Sequence, residues 1–541
     1  MSHQAEAAVP ASRTDRDAAI GRSTATISGF TLLSRISGFF RIVMVTAILG
    51  TTALGDIYES ANLVPNLLFE LFAAGSVQAV LVPALVSADE RHGESDGDSL
   101  ANGVLGWLLA TLGAVAVVAL VGAPLVMRLL TAGEPDPSVR SAKAELGSRF
   151  LAIFIIQLLF YAVGLVATAL LQARRRFAAP AIAPLFNNLV VIGAYLLFAV
   201  LRQGAPPSLS LTSIEIAVLA GGTTLGVVVF TSVPAIALVR SGVRWRPRLR
   251  RDPEISRLAR QGAWAGAYLG LTQLLTLGVV VLGNGVDGAV ARFTFAFTFF
   301  QLPYALLAIP VATARFPAMA SAVISDDRGR LSRLVGDGVV TTVAGCAAAS
   351  AAMLALAWPL VRLTAFGHAA GAAVGPLAHA VAAFAPGLVG YGLFYLLTRV
   401  RYAQGDARSP TLANALVAVT GLAAMIVGVG WVADDDRAAA LAAAYGGAHL
   451  VGAIVLGVIT ERSLERDPSS RVTRGIVASL LVSALAGVVM ALVASAFSGT
   501  TRTEALVSLV AAGLAGLAVL FVVLPPATGR SRRVLLGATS G

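Results

Sequence analysis

The sequence has few charged residues: only 13% of its 541 residues are Asp, Glu, Lys or Arg, whereas 57% are hydrophobic. Soluble proteins carry roughly a quarter charged residues, so this composition excludes a soluble globular protein. Apolar runs of about 20 residues, each long enough to cross a membrane, occur about fourteen times. Alanine and glycine are frequent in these runs, as in closely packed membrane helices. The sequence therefore predicts an all-α polytopic membrane protein with about 14 transmembrane helices.

Motifs of common catalytic sites are also missing, with no HExxH, no Walker-type phosphate loop and no GxSxG. The five histidines are scattered without metal-ligand spacing. The one cysteine, Cys346, lies in an apolar run and cannot form an intrachain disulfide. We therefore predict no enzyme activity, no metal and no cofactor. Active transport would then draw on the membrane potential or on a gradient, such as that of a monovalent cation.

Positive charge is concentrated in alternate loops. The formal net charge is +11, and Lys143 is the one basic residue that is not arginine. Loops rich in arginine alternate with loops that have one or two arginines, which is the positive-inside pattern and predicts that both termini are cytoplasmic. We expect the basic loops to contact anionic lipids, whereas nothing in them resembles a nucleic-acid-binding module. The basic loops are 174–176, 240–251, 328–333, 401–408, 462–474 and the tail at 530–533.

Two features recur about 230 residues apart, which indicates an internal duplication. The proline-containing stretch VPNLLFELFAAGSVQAVLVP has a counterpart in LPYALLAIPVATARFP. In addition, Asn188 follows Pro184 by four residues, and Asn414 follows Pro410 by four. We predict two pseudo-symmetric six-helix halves with a central cavity between them. The predicted division is a cytoplasmic N-terminal tail at 1–24, a first half at 25–245, a second half at 246–462, and two additional helices with a basic tail at 463–541.

The first apolar run, TLLSRISGFFRIVMVTAILG, contains two arginines. A charge at mid-bilayer costs roughly 2.5–3.5 kcal/mol on insertion scales, so Arg35 and Arg41 require an explanation. They project about 120° apart around the helix, with Gly38 between them in angle. One interpretation is a cavity wall that binds an anionic headgroup, since guanidinium groups suit phosphate. The other is that each arginine extends to the interface or pairs with a buried carboxylate.

Acidic residues in the second apolar run are the candidate partners. Glu70 lies four residues after Asn66, on the same helical face, and is either a counter-ion for the arginines or a cation- or proton-coupling group. Asp56 and Glu59 are expected at the solvated outer edge of the membrane. On residue chemistry alone, Asp56 is expected to cap the second helix.

The residues around these charges resemble the amino-terminal signature of the MurJ/MviN family, the lipid II flippases of the MOP exporter superfamily. The similarity is carried by SRISGFFR, ILG, NLVPNLL and GSVQAVLVP, and VPNLLFEL resembles the actinobacterial branch. The resemblance implies alternating access between inward-open and outward-open states. It also implies that Arg35 and Arg41 face the cavity and meet the lipid II pyrophosphate, that Asp56 is the acidic residue at the start of helix two, and that the two extra helices form a groove for the lipid tail.

Two positions depart from the family pattern. Phe69 and Glu70 follow PNLL where many members have arginine, and Thr298 stands where the family has a cavity arginine. Neither Arg292 nor Arg315, which could substitute, is in register.

From these observations we predict a flippase of the bacterial cytoplasmic membrane that moves lipid II from the inner to the outer leaflet. Its predicted substrate-binding residues are Arg35, Arg41, Gly38, Asn66, Glu70 and Asp56. Cell-wall synthesis proteins are possible partners. The alternatives are a flippase for another polyprenyl-linked glycan, a drug or cation antiporter of the same superfamily, and a non-transporting membrane scaffold.

Overall fold

The computed structural model describes residues 13–71, 75–249, 263–464, 470–497, 499 and 501–528. Several predicted features lie outside these residues: the first part of the N-terminal tail, the basic residues at 250–251, and the basic tail at 530–533. Within the described residues, all regular structure is helical.

Helices of the first half of the chain follow one another through short turns, with a π-helical turn at Ala217–Gly221 before the last. They are α1 Arg13–Leu49, α2 Ala53–Phe69, α3 Gly75–His92, α4 Glu94–Val121, α5 Ala123–Leu130, α6 Pro137–Phe154, α7 Gln157–Ala173, α8 Ala178–Arg202, α9 Ser213–Ile216 and α10 Gly222–Arg240.

The second half continues in the same manner, with a π-helical turn at Tyr304–Ala308 and 3₁₀ turns at Gly367–Ala369, Gly371–Ala373 and Asp434–Asp436. Its helices, with the last two of the chain, are α11 Ala263–Gly283, α12 Ala289–Pro303, α13 Ile309–Ile324, α14 Arg328–Thr364, α15 Val374–Phe384, α16 Gly387–Ala403, α17 Arg408–Val429, α18 Arg437–Ser463, α19 Ser470–Ser495 and α20 Arg502–Thr528.

Twelve helices in the described part are long and apolar enough to cross a membrane, and a bent pair, α15 with α16, raises this to 13. The remaining predicted span corresponds to α2 and α3, which are separated by residues outside the described part. The polytopic all-α fold is confirmed, whereas the number fourteen stays a prediction. Helix α1 begins at Arg13, and its membrane-spanning part is Gly29–Leu49, so the helix extends beyond the span into the predicted N-terminal tail.

The duplication is visible in matching contacts. In the first half, Asn188 Nδ2 of α8 donates to Ser34 O of α1 at 3.2 Å and to Ser37 Oγ at 2.9 Å. In the second half, Asn414 Nδ2 of α17 donates to the carbonyl of Tyr268 on α11 at 2.7 Å, and to a threonine hydroxyl one turn on at 2.8 Å. Each asparagine thus connects the first predicted membrane span of its half (α1 or α11) to the fifth (α8 or α17). The predicted boundaries at 245 and 462 stay predictions.

Two large apolar cores accompany these contacts. One is formed almost entirely by residues 45–243, the other mainly by residues 275–456. The last two helices, α19 and α20, pack on α14 outside both cores, where Gly487 lies against Ala351. Between them is an apolar cavity of about 420 Å³. Its lining includes Leu356, Met490 and Phe521.

Candidate functional site

The two halves meet most closely at one end of the bundle, formed by residues 47–56, 282–291 and 367–368, which we call the closed end. Backbone touches backbone there. Gly288 has φ +82°, and a Cβ on it would overlap the carbonyl of Thr51. Gly367 has φ +58°, and a Cβ on it would overlap the carbonyl of Ala47. Only glycine permits both the left-handed conformation and this approach.

Asp56 joins the halves at the closed end. Its carboxylate is fully buried and accepts hydrogen bonds from Gly288 N at 2.6 Å and Ala291 N at 2.9 Å. It therefore caps α12, whose own preceding residue, Gly288, has no side chain for the purpose. The expectations that Asp56 caps its own helix and lies at a solvated edge are both wrong: Thr52 caps α2, accepting from Gly55 N.

Lys143 reinforces the same end. Its ammonium group is fully buried, 2.5 Å from Glu134 Oε2 and 2.8 Å from Asp287 Oδ1. It also donates to Asn284 O at 3.2 Å, while Asn284 Nδ2 donates to Ser60 Oγ at 3.0 Å. Removing one partner of a buried pair leaves an uncompensated charge, so this network holds the halves in one arrangement.

The opposite end carries the arginine-rich loops, and we call it the basic end. Arg174 Nε donates to Asp89 Oδ2 at 3.1 Å in the first half, and Arg401 Nε donates to Asp406 Oδ2 at 3.1 Å in the second. Partial burial opposes ionisation of Asp406, but hydrogen bonds from Ser409 and Arg401 outweigh it and lower its pKa to about 2. Each loop is thus held within its own half.

Arg41 lies between the two ends, inside the first half. Its charge interacts with Glu59 on α2 and with Tyr58, Tyr161 and Tyr195. Its Nε is buried and has no hydrogen-bond partner among the described residues. Arg41 as a whole is half-buried, but a buried donor without a partner is costly, and an anion would satisfy this one. Arg35 lies six residues earlier on α1 and is exposed.

Glu70 does not pair with these arginines, contrary to the expectation that it could be their counter-ion. It accepts a hydrogen bond from Gln273 of α11, across the junction between the halves. The carboxylate that faces Arg41 is instead Glu59. Asn66 is also engaged separately, since its Oδ1 accepts from Tyr161 OH at 2.8 Å. The predicted cluster is therefore divided into an arginine part and a Glu70 part.

Gly38 was predicted to leave a gap between the two guanidinium groups, and the structure corrects this. Gly38 lies at the contact of α1 with α8, where an added Cβ would be 3.5 Å from Asn188 Nδ2. The glycine therefore provides room for a neighbouring helix. A helical wheel gives the angle of a residue but not which element occupies that side.

At the two positions that depart from the family pattern, the side chains make contacts that are common in packed helices. The ring of Phe69 lies 4.9 Å from that of Tyr161, and Thr298 Oγ1 donates to the carbonyl of the preceding turn at 3.0 Å. Arg292 donates to Asp435 O at 3.3 Å at the closed end. Arg315 Nη2 donates to Thr341 Oγ1 of α14 at 3.4 Å. Neither arginine takes the place of the expected cavity cation.

Two groups of residues were missed by sequence reasoning. One is the network of Lys143, whose signal was that it is the one lysine of the sequence. The other is the face of α16 with Tyr391, Tyr395 and Arg399, whose signal was the four-residue spacing. Among the described residues, there is no group of three or more His, Cys, Asp or Glu that could hold a metal ion. The described residues thus form two helical halves that are joined at the closed end, with Arg41 inside the first half.

A family model described as lipid II flippase MurJ matches residues 45–512, a range that begins after both arginines of α1. Among curated proteins, the probable lipid II flippase MurJ of Rhizobium tropici is 28% identical over 406 residues, which cover 74% of this chain and 74% of that protein. The lipid II flippase MurJ of Burkholderia cenocepacia is 27% identical over 410 residues, covering 74% of this chain and 77% of that protein.

Solved structures share the fold. A lipid II flippase MurJ in an inward closed conformation superposes with a TM-score of 0.71 at 19% identity, covering 91% of this chain and 97% of that one. An inward-facing multidrug resistance MATE family transporter of the MOP superfamily gives a TM-score of 0.63 at 15% identity, covering 81% and 95%. At these identities, the likeness concerns the fold alone.

Proposed function

The chain belongs to the lipid II flippase MurJ family, and on that basis we propose that it moves lipid II from the inner to the outer leaflet of the bacterial cytoplasmic membrane. Arg35 and Arg41 would bind the pyrophosphate. The observation that carries this role is the buried Nε of Arg41 without a hydrogen-bond partner among the described residues. A phosphoryl oxygen would satisfy it with a charge-assisted hydrogen bond.

The orientation follows from the positive-inside rule: the basic end is cytoplasmic, with both termini, and the closed end faces outward. In this arrangement the substrate headgroup enters from the cytoplasmic side and meets the arginines of α1 beneath the seal. The arginine-rich loops at the basic end would contact anionic lipid headgroups.

The polyprenyl tail would stay in lipid during transport. The apolar cavity of about 420 Å³ between α14, α19 and α20 offers it a lateral groove. Its lining, which includes Leu356 and Phe521, is apolar and therefore suits a hydrocarbon chain.

Release to the outside requires the closed end to open, so the bonds of Asp56 and Lys143 between the halves must break and re-form in each cycle. The membrane potential could drive one of these steps, since an elementary charge moved through it is worth about 2.3 kcal/mol per 100 mV. The alternative source of energy is a gradient of a monovalent cation across the membrane.

The test is a strain depleted of its resident lipid II flippase and supplied with this gene, with lipid II assayed on the outer leaflet. Restored outer-leaflet lipid II, lost with Arg41→Ala, supports the proposal. Normal insertion without lipid II export would favour another polyprenyl-linked glycan or a non-transporting scaffold. Cation-coupled drug resistance from the same gene would instead indicate an antiporter.

A further inference from the structure

One face of α16 is chemically unusual for a membrane helix. Tyr391, Tyr395 and Arg399 follow one another at intervals of four residues and therefore share a side of the helix. All three are half-buried, whereas most other residues of α16 are fully buried. Arg399 lies four residues before the end of the helix, roughly 6 Å from it, so its charge is within the bundle.

One end of this face lies near the junction between the halves, where Glu70 accepts a hydrogen bond from Gln273. The ring of Tyr304 lies 4.6 Å from that of Tyr391 and 5.6 Å from that of Tyr395. Glu70, from the first half, interacts electrostatically with Tyr391. A surface in contact with lipid tails would be aliphatic, because polar groups within membranes face the bundle interior or water.

The guanidinium of Arg399 is held in place but not neutralised. Its Cζ lies 4.9 Å from the centre of the Tyr395 ring, and its Nη2 donates to Tyr395 OH at 3.1 Å. In the part of the chain that the structure describes, it forms no ion pair with a carboxylate. The cation–π contact orients the group and leaves further N–H donors for a ligand.

The internal duplication shows that the scaffold itself does not need this charge. Helices α7 and α16 each have 17 residues and begin 230 positions apart, at Gln157 and Gly387. Tyr391 therefore corresponds to Tyr161, another half-buried tyrosine, whereas Arg399 corresponds to Ala169, a fully buried residue. The cation is specific to the second half.

We propose that Arg399, positioned by Tyr395, is a second anion-binding subsite, contributed by the half of the chain that does not contain Arg35 and Arg41. It takes an acidic oxygen of the transported headgroup, which is either a phosphoryl oxygen or a carboxylate of the attached peptide. Tyr391, about two turns earlier on the same face and half-buried, provides a ring face for a sugar. This inference rests on the proposed function.

The test is equilibrium binding to the full-length protein in nanodiscs, with two probes: lipid II and a polyprenyl pyrophosphate without sugars. Arg399→Gln is compared with Arg41→Gln and with Arg328→Gln, a matched loss of charge in an exposed pair with Asp326. We expect Arg399→Gln to weaken lipid II binding about tenfold or more, as for loss of a charge-assisted hydrogen bond, and the control to bind normally. Melting temperatures of all variants report folding.

The two probes separate the possible ligands. Weaker binding of lipid II alone assigns the subsite to the peptide or sugar part, and weaker binding of both probes assigns it to the pyrophosphate. Unchanged binding of both, with Arg41→Gln impaired, overturns the subsite and leaves the proposed function intact. Failure of the wild-type protein to bind either probe overturns the proposed function and the subsite with it. Should Arg399→Gln not fold, Tyr395→Phe removes only the positioning hydroxyl, and a few-fold loss of lipid II affinity is then expected.

Discussion

Asp56 determines how firmly the closed end is shut, and its removal should shift the protein towards an outward-open state. Asp56→Ala deletes two hydrogen bonds to backbone N–H groups of α12, with lengths of 2.6 and 2.9 Å. Hydrogen bonds to a charged group contribute about 1.5–3 kcal/mol each. Part of this loss is offset, because the alanine variant no longer has a carboxylate whose burial costs free energy. A net loss of about 2 kcal/mol changes the ratio of closed to open forms about 30-fold. Asp56→Asn keeps one acceptor and should have a smaller effect, about fivefold.

The assay uses Thr294→Cys in a Cys346→Ala background. Thr294 lines a small pocket beneath the closed end, together with Glu59. A thiol reagent that cannot cross the membrane is added from outside. Labelling should become faster in Asp56→Ala and remain unchanged in the matched control Glu145→Gln, whose carboxylate is exposed and pairs with Arg149 one turn away. Equal labelling rates in folded Asp56→Ala and wild type would refute the idea that this carboxylate holds the halves together.

Three further outcomes are expected. In the same cysteine-free background, Arg248→Cys and Asp435→Cys should be labelled from opposite sides of the membrane, and labelling from one side would contradict the assigned orientation. Arg41→Lys should retain only part of the transport activity, because it keeps the charge and loses the planar fork. Wild-type transport by the double variant Arg41→Leu with Glu59→Leu would show a structural ion pair instead. The pKa of Asp406 is about 2 in the folded protein against an ordinary 3.8, so its stabilising effect is complete above the ordinary value and is lost as the pH falls towards 2. Melting temperatures measured from pH 5 to 2.5 should therefore fall more steeply for wild type than for Asp406→Asn.

The sequence was informative where a residue contradicted its surroundings. The arginines in an apolar run indicated an interior position, which Arg41 has and the exposed Arg35 does not. Apolar length and periodicity predicted the helices. The repeated proline and asparagine spacing anticipated the contacts of Asn188 and Asn414. These signals are local, so one sequence was enough to recognise them.

Partners across helices could not be predicted in the same way. Arg41 interacts electrostatically with Glu59 rather than with Glu70, because Glu70 is instead hydrogen-bonded to Gln273 of α11, a contact between segments about 200 residues apart. Asp56 caps a helix that begins more than 200 residues later, a relation that no local pattern contains. Arg399 does not stand at a family cation position, and its signal in the sequence is only the four-residue spacing within α16.

The fully buried Lys143 has a practical consequence. It is the one lysine of the chain, so its side chain and the α-amino group at the N-terminus are the two sites for amine-directed chemistry in the unmodified protein. With the ammonium group enclosed between Glu134 and Asp287, acylation must await separation of the halves. The acylation rate of Lys143 should therefore report on the conformational cycle. Mass spectrometry of the peptide that contains Lys143 would measure the rate of acylation in the unsubstituted protein, and this rate should follow the opening of the closed end. Inhibitors that arrest the cycle could then be ranked by how far they slow acylation.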